Sequence, residues 1–272
     1  MKEAAPLLRI TSQWLLGVIL AVVLIALFLA IVAVQLTSAG AGQRILRRAV
    51  AVTTEIDAIL PNIETSLQQA ATDSVAKEIR VPDFPIPVDL TRAEARQIKG
   101  DELRARILGE AARRLYQDGM SSWAAGDPEA DQDIEPISTA GALQRGLGLI
   151  TTENHGRIVI AASVLGFLAV ILTLALLSTV KSYVRLIALG ATTLAAALPS
   201  LAAAIAVRFV LRTAEDEADP FVAGLLDLGV DAMWVPIRDY LALSALGFSV
   251  IAVGAFSLWW QARRGTPQLQ DV

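Results

Sequence analysis

A run of five carboxylates at every second position carries the residue types best suited to holding a hard metal ion. The five are Asp127, Glu129, Asp131, Asp133 and Glu135, with no basic residue among them. Alternate positions share one side of an extended chain, and calcium prefers clusters of oxygen ligands. An EF-hand loop, however, needs glycine where Gln132 stands and a bidentate glutamate where Ser138 stands. We therefore expect a solvated acidic loop, with a structural calcium site as the alternative.

The only histidine, His155, is the one candidate for a general base or, together with Glu153, for a metal ligand. A single histidine cannot form a paired site, and the chain contains no GxSxG, HExxH, P-loop or dinucleotide-binding motif. The absence of cysteine excludes thiolate nucleophiles, iron–sulfur clusters and thiolate zinc sites. We expect His155 to cap a helix at a membrane interface, and we predict neither catalytic residues nor a cofactor.

The composition is too apolar for an ordinary soluble domain, since 54% of the 272 residues are apolar and 18% are charged. Four runs contain no charged residue, at 14–36, 158–180, 186–207 and 240–260. A helix of about 21 residues is about 31 Å long, enough to cross the hydrocarbon layer of a membrane. The sequence predicts an all-α membrane protein with four transmembrane helices and a mainly helical extracytoplasmic domain between helices 1 and 2.

The charges in the short segments that flank these runs predict the orientation. Residues 1–13, 181–185 and 261–272 together hold six basic and two acidic residues, whereas 208–239 holds three basic and seven acidic residues. Because cytoplasmic flanks are enriched in Lys and Arg, we expect both termini in the cytoplasm and residues 37–157 outside. The excess of Arg over Lys and the abundant Ala are typical of a GC-rich bacterial genome, so we expect the plasma (inner) membrane.

The first run is predicted to continue as an amphipathic helix into the external domain. Its length exceeds the apolar core of a signal peptide, so we expect an anchor rather than a segment cleaved near residues 39–41. Beyond it, apolar residues recur in steps of four and three at Ile45, Ala49, Val52, Ile56, Ile59 and Ile63. Pro61 either kinks this helix or begins a new one over 62–80, and the prolines at 82, 85 and 87 predict an extended segment.

Thr91 and Glu94 have the spacing of a capping box, which predicts a helix that begins near residue 92. Gly100 is expected to interrupt this helix and Gly119 to end it. A last helix of the external domain is predicted over 139–152.

The polar face of the helix after residue 92 carries four arginines. Glu102 and Glu110 alternate with them, so we expect a solvated face, with a surface for lipid headgroups or an acidic partner as the alternative. The arginines are Arg104, Arg106, Arg113 and Arg114.

The second external loop, 208–239, contains a strong helix start at Asp219 and Pro220. We predict an amphipathic helix over 220–234 that Pro236 ends. This helix either lies along the outer leaflet or covers the large domain.

Small residues recur at helical spacing in the third and fourth runs, and such stripes allow close helix–helix approach. They are Gly190, Thr193, Ala197, Ser200 and Ala204 in the third run and Gly247, Gly254 and Ser257 in the fourth. We predict that these stripes pack the two helices together. The alternative is a pore lined by Thr192, Thr193 and Ser200.

The leading functional hypothesis is a non-enzymatic membrane protein whose outer domain binds a protein or envelope component, as an accessory subunit, scaffold or sensor. The expected partners are the lipid bilayer and another protein or a second copy of the chain, with no nucleic acid. One alternative is a homo-oligomeric pore or transport subunit. Another is a membrane-embedded enzyme that uses the external carboxylates and a metal.

Overall fold

The structure is a computed structural model that describes residues 4–73, 76–119, 146–180, 183–218 and 220–264. It is almost entirely helical. In chain order the helices are α1 (Ala4–Thr37), α2 (Ala39–Thr53), α3 (Ile56–Asp73), α4 (Arg92–Gln97), α5 (Gly100–Asp118), α6 (Thr152–Thr179), α7 (Val184–Glu217), α8 (Pro220–Ala232) and α9 (Trp234–Arg264). Two short strands, β1 (Glu78–Arg80) and β2 (Asp89–Thr91), pair antiparallel.

Among the described residues, four stretches of helix are long and apolar enough to cross a membrane. They are Gln13–Thr37 in α1, Thr152–Thr179 in α6, Val184–Asp216 in α7 and Val222–Arg264, which includes all of α9. Each uncharged run of the sequence falls within one of these helices, except that the run 158–180 extends one residue beyond the end of α6. The chain is therefore consistent with an all-α, multi-pass membrane protein, as the sequence predicts.

The chain divides into two compact units, and the described residues of the first, within 1–32, 159–210 and 232–272, form a helix bundle. Within it, α1 touches each of the other three helices. Leu20 of α1 is fully buried in a cluster with Ala169 and Leu176 of α6, and the rings of Phe28 and Tyr240 join α1 to α9 with centroids 6.4 Å apart. A Cβ atom placed on Gly17 of α1 would lie 3.9 Å from the Thr192 hydroxyl of α7.

Glycines lie at the points of closest approach between α7 and α9. A Cβ atom placed on Gly190 would lie 2.7 Å from the carbonyl oxygen of Gly247, and one placed on Gly254 would lie 2.9 Å from Cγ1 of Ile187. Glycine thus lets the two backbones approach more closely than any residue with a side chain allows.

The described residues of the second unit, within 33–158 and 211–231, form a helical domain with its own hydrophobic core. The core lies among α2, α3, α5 and the two strands, where Leu46, Ile56, Val88, Leu90 and Ile107 are at most 1% exposed. The periodicity predicted from Ile45 to Ile63 largely agrees with this core, because five of its six positions belong to the core or pack against it, whereas Val52 faces Gly224 of α8.

The helix boundaries of this domain depart from the predicted ones. The expected continuous helix is interrupted at Ser38 and again at Glu55, whose φ of 45° is left-handed. Pro61 therefore lies inside α3, five residues after its start, and does not begin a new helix. The predicted helix over 62–80 is wrong in its second half, because α3 ends at Asp73 and β1 occupies 78–80. A strand of three residues is too short to show alternation in the sequence.

The predicted capping box and both glycine signals agree with the structure. The Thr91 hydroxyl accepts from the Glu94 backbone N–H at 3.3 Å, and the Glu94 carboxylate accepts from the Thr91 backbone N–H at 2.9 Å. The helix breaks after α4, and α5 begins at Gly100 with φ of 54°. Gly119, with φ of 71°, ends α5. The helix predicted over 139–152 lies mostly outside the described residues.

The predicted helix of the second loop is α8, and it packs on the helical domain. A Cβ atom placed on Gly224 would lie 3.2 Å from Val52 of α2, and Leu228 packs against the domain core. Of the two predicted positions, the structure has α8 covering the domain. Pro236 does not end this helix, because α8 stops at Ala232 and Pro236 lies in the first turn of α9.

Replacing Gly190 by alanine is expected to lower the thermal midpoint of the detergent-solubilised protein. The added methyl group would collide with the backbone of Gly247, and overpacking of this kind costs about 1–3 kcal/mol. Gly166→Ala is the matched control, because a Cβ atom there would make an ordinary contact, 3.9 Å from Leu27 Cδ1. Equal midpoints for Gly190→Ala and the wild type in thermal denaturation would contradict this interface.

Candidate functional site

The acidic run at 127–135 lies outside the described residues. Within the part of the chain that the structure describes, no three His, Asp or Glu side chains come together as a metal site. Glu153, the predicted companion of His155, instead forms an ion pair with Arg157 one turn further along α6. The side chains of Glu153 and Arg157 are more than 70% exposed.

His155 lies at the start of α6 and joins it to the end of α1. Its Nδ1 is 3.0 Å from the hydroxyl of Thr37, the last residue of α1. The Thr37 hydroxyl donates its only proton to the Ala33 carbonyl oxygen, 2.7 Å away. The hydroxyl must therefore accept from the ring, so Nδ1 of His155 carries a proton. This geometry makes His155 a structural link between two helices.

Tyr116, near the end of α5, forms hydrogen bonds with the end of α1 and the start of α6. Its hydroxyl donates to the Thr37 carbonyl oxygen at 2.9 Å, and its own carbonyl oxygen accepts from the Thr152 hydroxyl at 3.2 Å. Tyr116 is 5% exposed and Thr37 is 6% exposed. We call Thr37, Tyr116, Thr152 and His155 the span-end junction, because it joins the ends of two apolar helical stretches to the domain core.

The four arginines of the predicted polar face on α5 are all engaged within the domain. Arg104 binds both carboxylate oxygens of Asp57, at 2.6 and 3.1 Å. The other three surround Glu110, whose side chain is 8% exposed. Arg106 also binds Glu94 at 2.9 Å, and Arg114 also binds Asp89 at 2.6 Å. The arginine face therefore serves to hold α4, α5 and β2 together. The sequence shows Glu110 alternating with these arginines and predicts a solvated face, whereas the partners Asp57 and Asp89 lie 47 and 25 residues away in the chain.

Two carboxyl groups of this network, Glu110 and Glu94, have a pKa below the ordinary value. The hydrogen bond from Arg113 lowers the pKa of Glu110, helped by the positive charges of Arg113 and Arg106 and opposed by burial. The backbone N–H and hydroxyl of Thr91 lower the pKa of Glu94, with Arg106 acting in the same direction. Both groups are therefore ionised at neutral pH, and their charges stabilise the fold.

Arg48 of α2 fastens α8 to the domain. Its guanidinium pairs with Asp227 and, at 2.8 Å, with Asp231. The two aspartates are four residues apart and so lie on one face of α8. All three side chains are at least 38% exposed, so the pairs orient α8 more than they stabilise it.

The structure brings together some of the predicted packing residues. Gly190, Gly247 and Gly254 lie in the α7–α9 contact, and Ala197 and Ala204 of α7 are buried. The hydroxyls of the stripes bond within their own helices, each donating to the carbonyl oxygen four residues earlier. These hydroxyls belong to Thr192, Thr193, Ser200 and Ser257.

Two hydroxyls near the start of α9 are buried; the sequence predicts an anchor at the outer membrane interface for Tyr240, with Trp234, and no role for Ser244. Tyr240, 2% exposed, and Ser244, 6% exposed, lie one turn apart, and neither hydroxyl has a hydrogen-bond partner among the described residues. Tyr240 also lines a cavity of about 240 Å³ with Phe28 and Val32 of α1. A buried hydroxyl without a partner costs about 1–3 kcal/mol. Nothing in the sequence separates these positions from lipid-facing ones.

Comparisons of the whole chain with protein-family models, with curated proteins and with solved structures found no match.

Glu110→Gln is expected to destabilise the helical domain at about pH 7 by about 1–3 kcal/mol, because three arginines lose the charge that they surround. Since the pKa of Glu110 is lowered on folding, its contribution is present above the unfolded value, near 4.5, and is lost as pH falls through the folded value. Thermal denaturation between about pH 7 and pH 3 should therefore show a flatter pH dependence in Glu110→Gln than in the wild type.

The control for this experiment is Glu102→Gln, on the same helix at an exposed position. It should match the wild type throughout the pH range. If both variants behaved alike, the stabilising role of Glu110 would be refuted.

Proposed function

We propose that the chain is a non-enzymatic, multi-pass protein of a bacterial plasma (inner) membrane that holds its helical domain outside the cytoplasm. The domain binds a protein or an envelope component, so the chain acts as an accessory subunit, scaffold or sensor. Both termini are then cytoplasmic, and the four apolar helices are the anchor.

The observation that carries this proposal is the contrast between the surfaces of the two units. The bundle exposes many large hydrophobic side chains, among them Trp14, Phe167 and Phe209 at 74%, 70% and 72%. In the described part of the helical domain, Leu149 alone is a large hydrophobic residue that is exposed. An apolar surface of that extent is suited to lipid, and a polar surface around a closed core is suited to water.

The organisation of the domain supports a binding role. Its core is shared by α2, α3, α5 and the two strands, and its side chains at α5 are held by ion pairs. Such a domain presents a preorganised surface, which lowers the entropic cost of binding a partner. The functional groups noticed in the sequence, His155 and the α5 arginines, are engaged in holding the fold.

Crosslinking of intact cells with a membrane-impermeant, amine-reactive reagent tests this proposal. Lysine occurs only at 2, 77, 99 and 181. Lys77 and Lys99 are exposed on the domain, whereas the other two belong to segments predicted to be cytoplasmic. Mass spectrometry of the purified chain should find a specific partner linked through Lys77 or Lys99.

The matched control is the double variant Lys77→Arg and Lys99→Arg, which keeps both charges but removes both reactive amines. It should lose the crosslink while reaching the same level in the membrane. Crosslinks that appear only after permeabilisation would contradict the orientation. A chain that stays unlinked to any protein would contradict the binding role.

A further inference from the structure

Most arginines of the helical domain are committed to partners inside it. Nine of the twelve that the structure describes in this unit form an ion pair with a carboxylate or donate to a backbone carbonyl oxygen. The other three, Arg44, Arg47 and Arg212, are exposed and have no acceptor among the described residues. Each of the three lies close to the end of an apolar helical stretch.

Arg44 and Arg47 are the pair with the clearest placement. They lie three residues apart on α2, so their side chains share one face of that helix. The apolar stretch of α1 ends at Thr37, and α2 begins two residues later. At 1.5 Å per residue, the two arginines are about 8 and 12 Å along α2 from its first residue.

The opposite face of α2 is already occupied, because Leu46, Ala49 and Val50 point into the domain core. Arg48, four residues after Arg44 and so beside it on the helix, holds the aspartates of α8. The face that carries Arg44 and Arg47 therefore presents two guanidinium groups whose charge the described part of the chain does not neutralise.

We propose that Arg44 and Arg47 bind the phosphodiester headgroup of anionic phospholipids. A bundle with this apolar surface needs lipid around it, and lipid phosphates lie where the apolar stretch of α1 ends. The planar guanidinium fork fits a phosphate with two parallel hydrogen bonds, and long arginine side chains near helix ends reach the interface. The inference requires the bundle to lie in lipid, but it does not require a protein partner or a particular orientation.

Binding of a fluorescent short-chain phosphatidylglycerol to the full-length chain in mild detergent tests the proposal. The double variant Arg44→Gln and Arg47→Gln should bind it more weakly, by about fivefold for each arginine lost. Affinity for the corresponding phosphatidylcholine, whose choline group neutralises the phosphate charge, should fall much less. Raising the salt concentration should weaken phosphatidylglycerol binding to the wild type and have less effect on the variant.

The matched control is Lys77→Gln with Lys99→Gln, which removes the same charge from two exposed, unpaired positions of the same domain. This control should bind phosphatidylglycerol like the wild type. The conservative variant Arg44→Lys with Arg47→Lys should keep the preference for the anionic lipid, which separates loss of charge from loss of fold.

Three results would overturn the proposal. Wild-type affinity for phosphatidylglycerol in the Arg44→Gln, Arg47→Gln variant would do so, as would an equal loss in the lysine control. Competition by inorganic phosphate at concentrations similar to the lipid would identify a general anion site instead of a lipid site.

Discussion

The architecture depends on the separation of apolar and polar surface along one chain. Burial of apolar area from water is worth about 25 cal/mol for each Å², so the exposed side chains of α1, α6, α7 and α9 are stable only in an apolar environment. In that environment each backbone polar group must be satisfied locally, and long helices do this. Ser200 and Ser257 follow the same rule, since each donates its hydroxyl proton to a carbonyl oxygen of its own helix, whereas the buried hydroxyls of Tyr240 and Ser244 are exceptions among the described residues. Close packing of the helices then depends on small residues that let two backbones approach, as at Gly190 and Gly247.

The helical domain has a polar surface, where water competes for the hydrogen-bonding groups of the side chains. Its stability comes from a closed apolar core, and its polar contacts are concentrated where elements join. The span-end junction connects α1, α5 and α6 through hydrogen bonds around Thr37. The Glu110 network connects α5 to α4 and β2 through charge. Within the domain, hydrogen bonds thus join the elements where the apolar stretches end, and ion pairs join them at the preceding turns of α5.

Much of the fold is readable from the sequence because strong, repeated signals specify it. Uncharged runs longer than a bilayer is thick identify the spans, and the capping box at Thr91 and the glycine at 119 set helix ends. The strand pair, the turn at Glu55 and the end of α3 depend on tertiary contacts that leave no periodic signal. The ion pairs of α5 likewise leave no periodic signal. Arg104 and Arg114 were visible as a charged face, but their partners, Asp57 and Asp89, are 47 and 25 residues away in the chain.

The most direct test of the central claim is the sidedness of two positions on the same chain. Because the protein has no cysteine, Glu102→Cys on α5 and Gln261→Cys at the end of α9 can each be labelled alone. With a membrane-impermeant maleimide, four crossings and an external domain predict labelling at 102 in intact cells and at 261 only after permeabilisation. Labelling of both positions from the same side, or release of the protein from membranes by alkaline carbonate, would contradict the account.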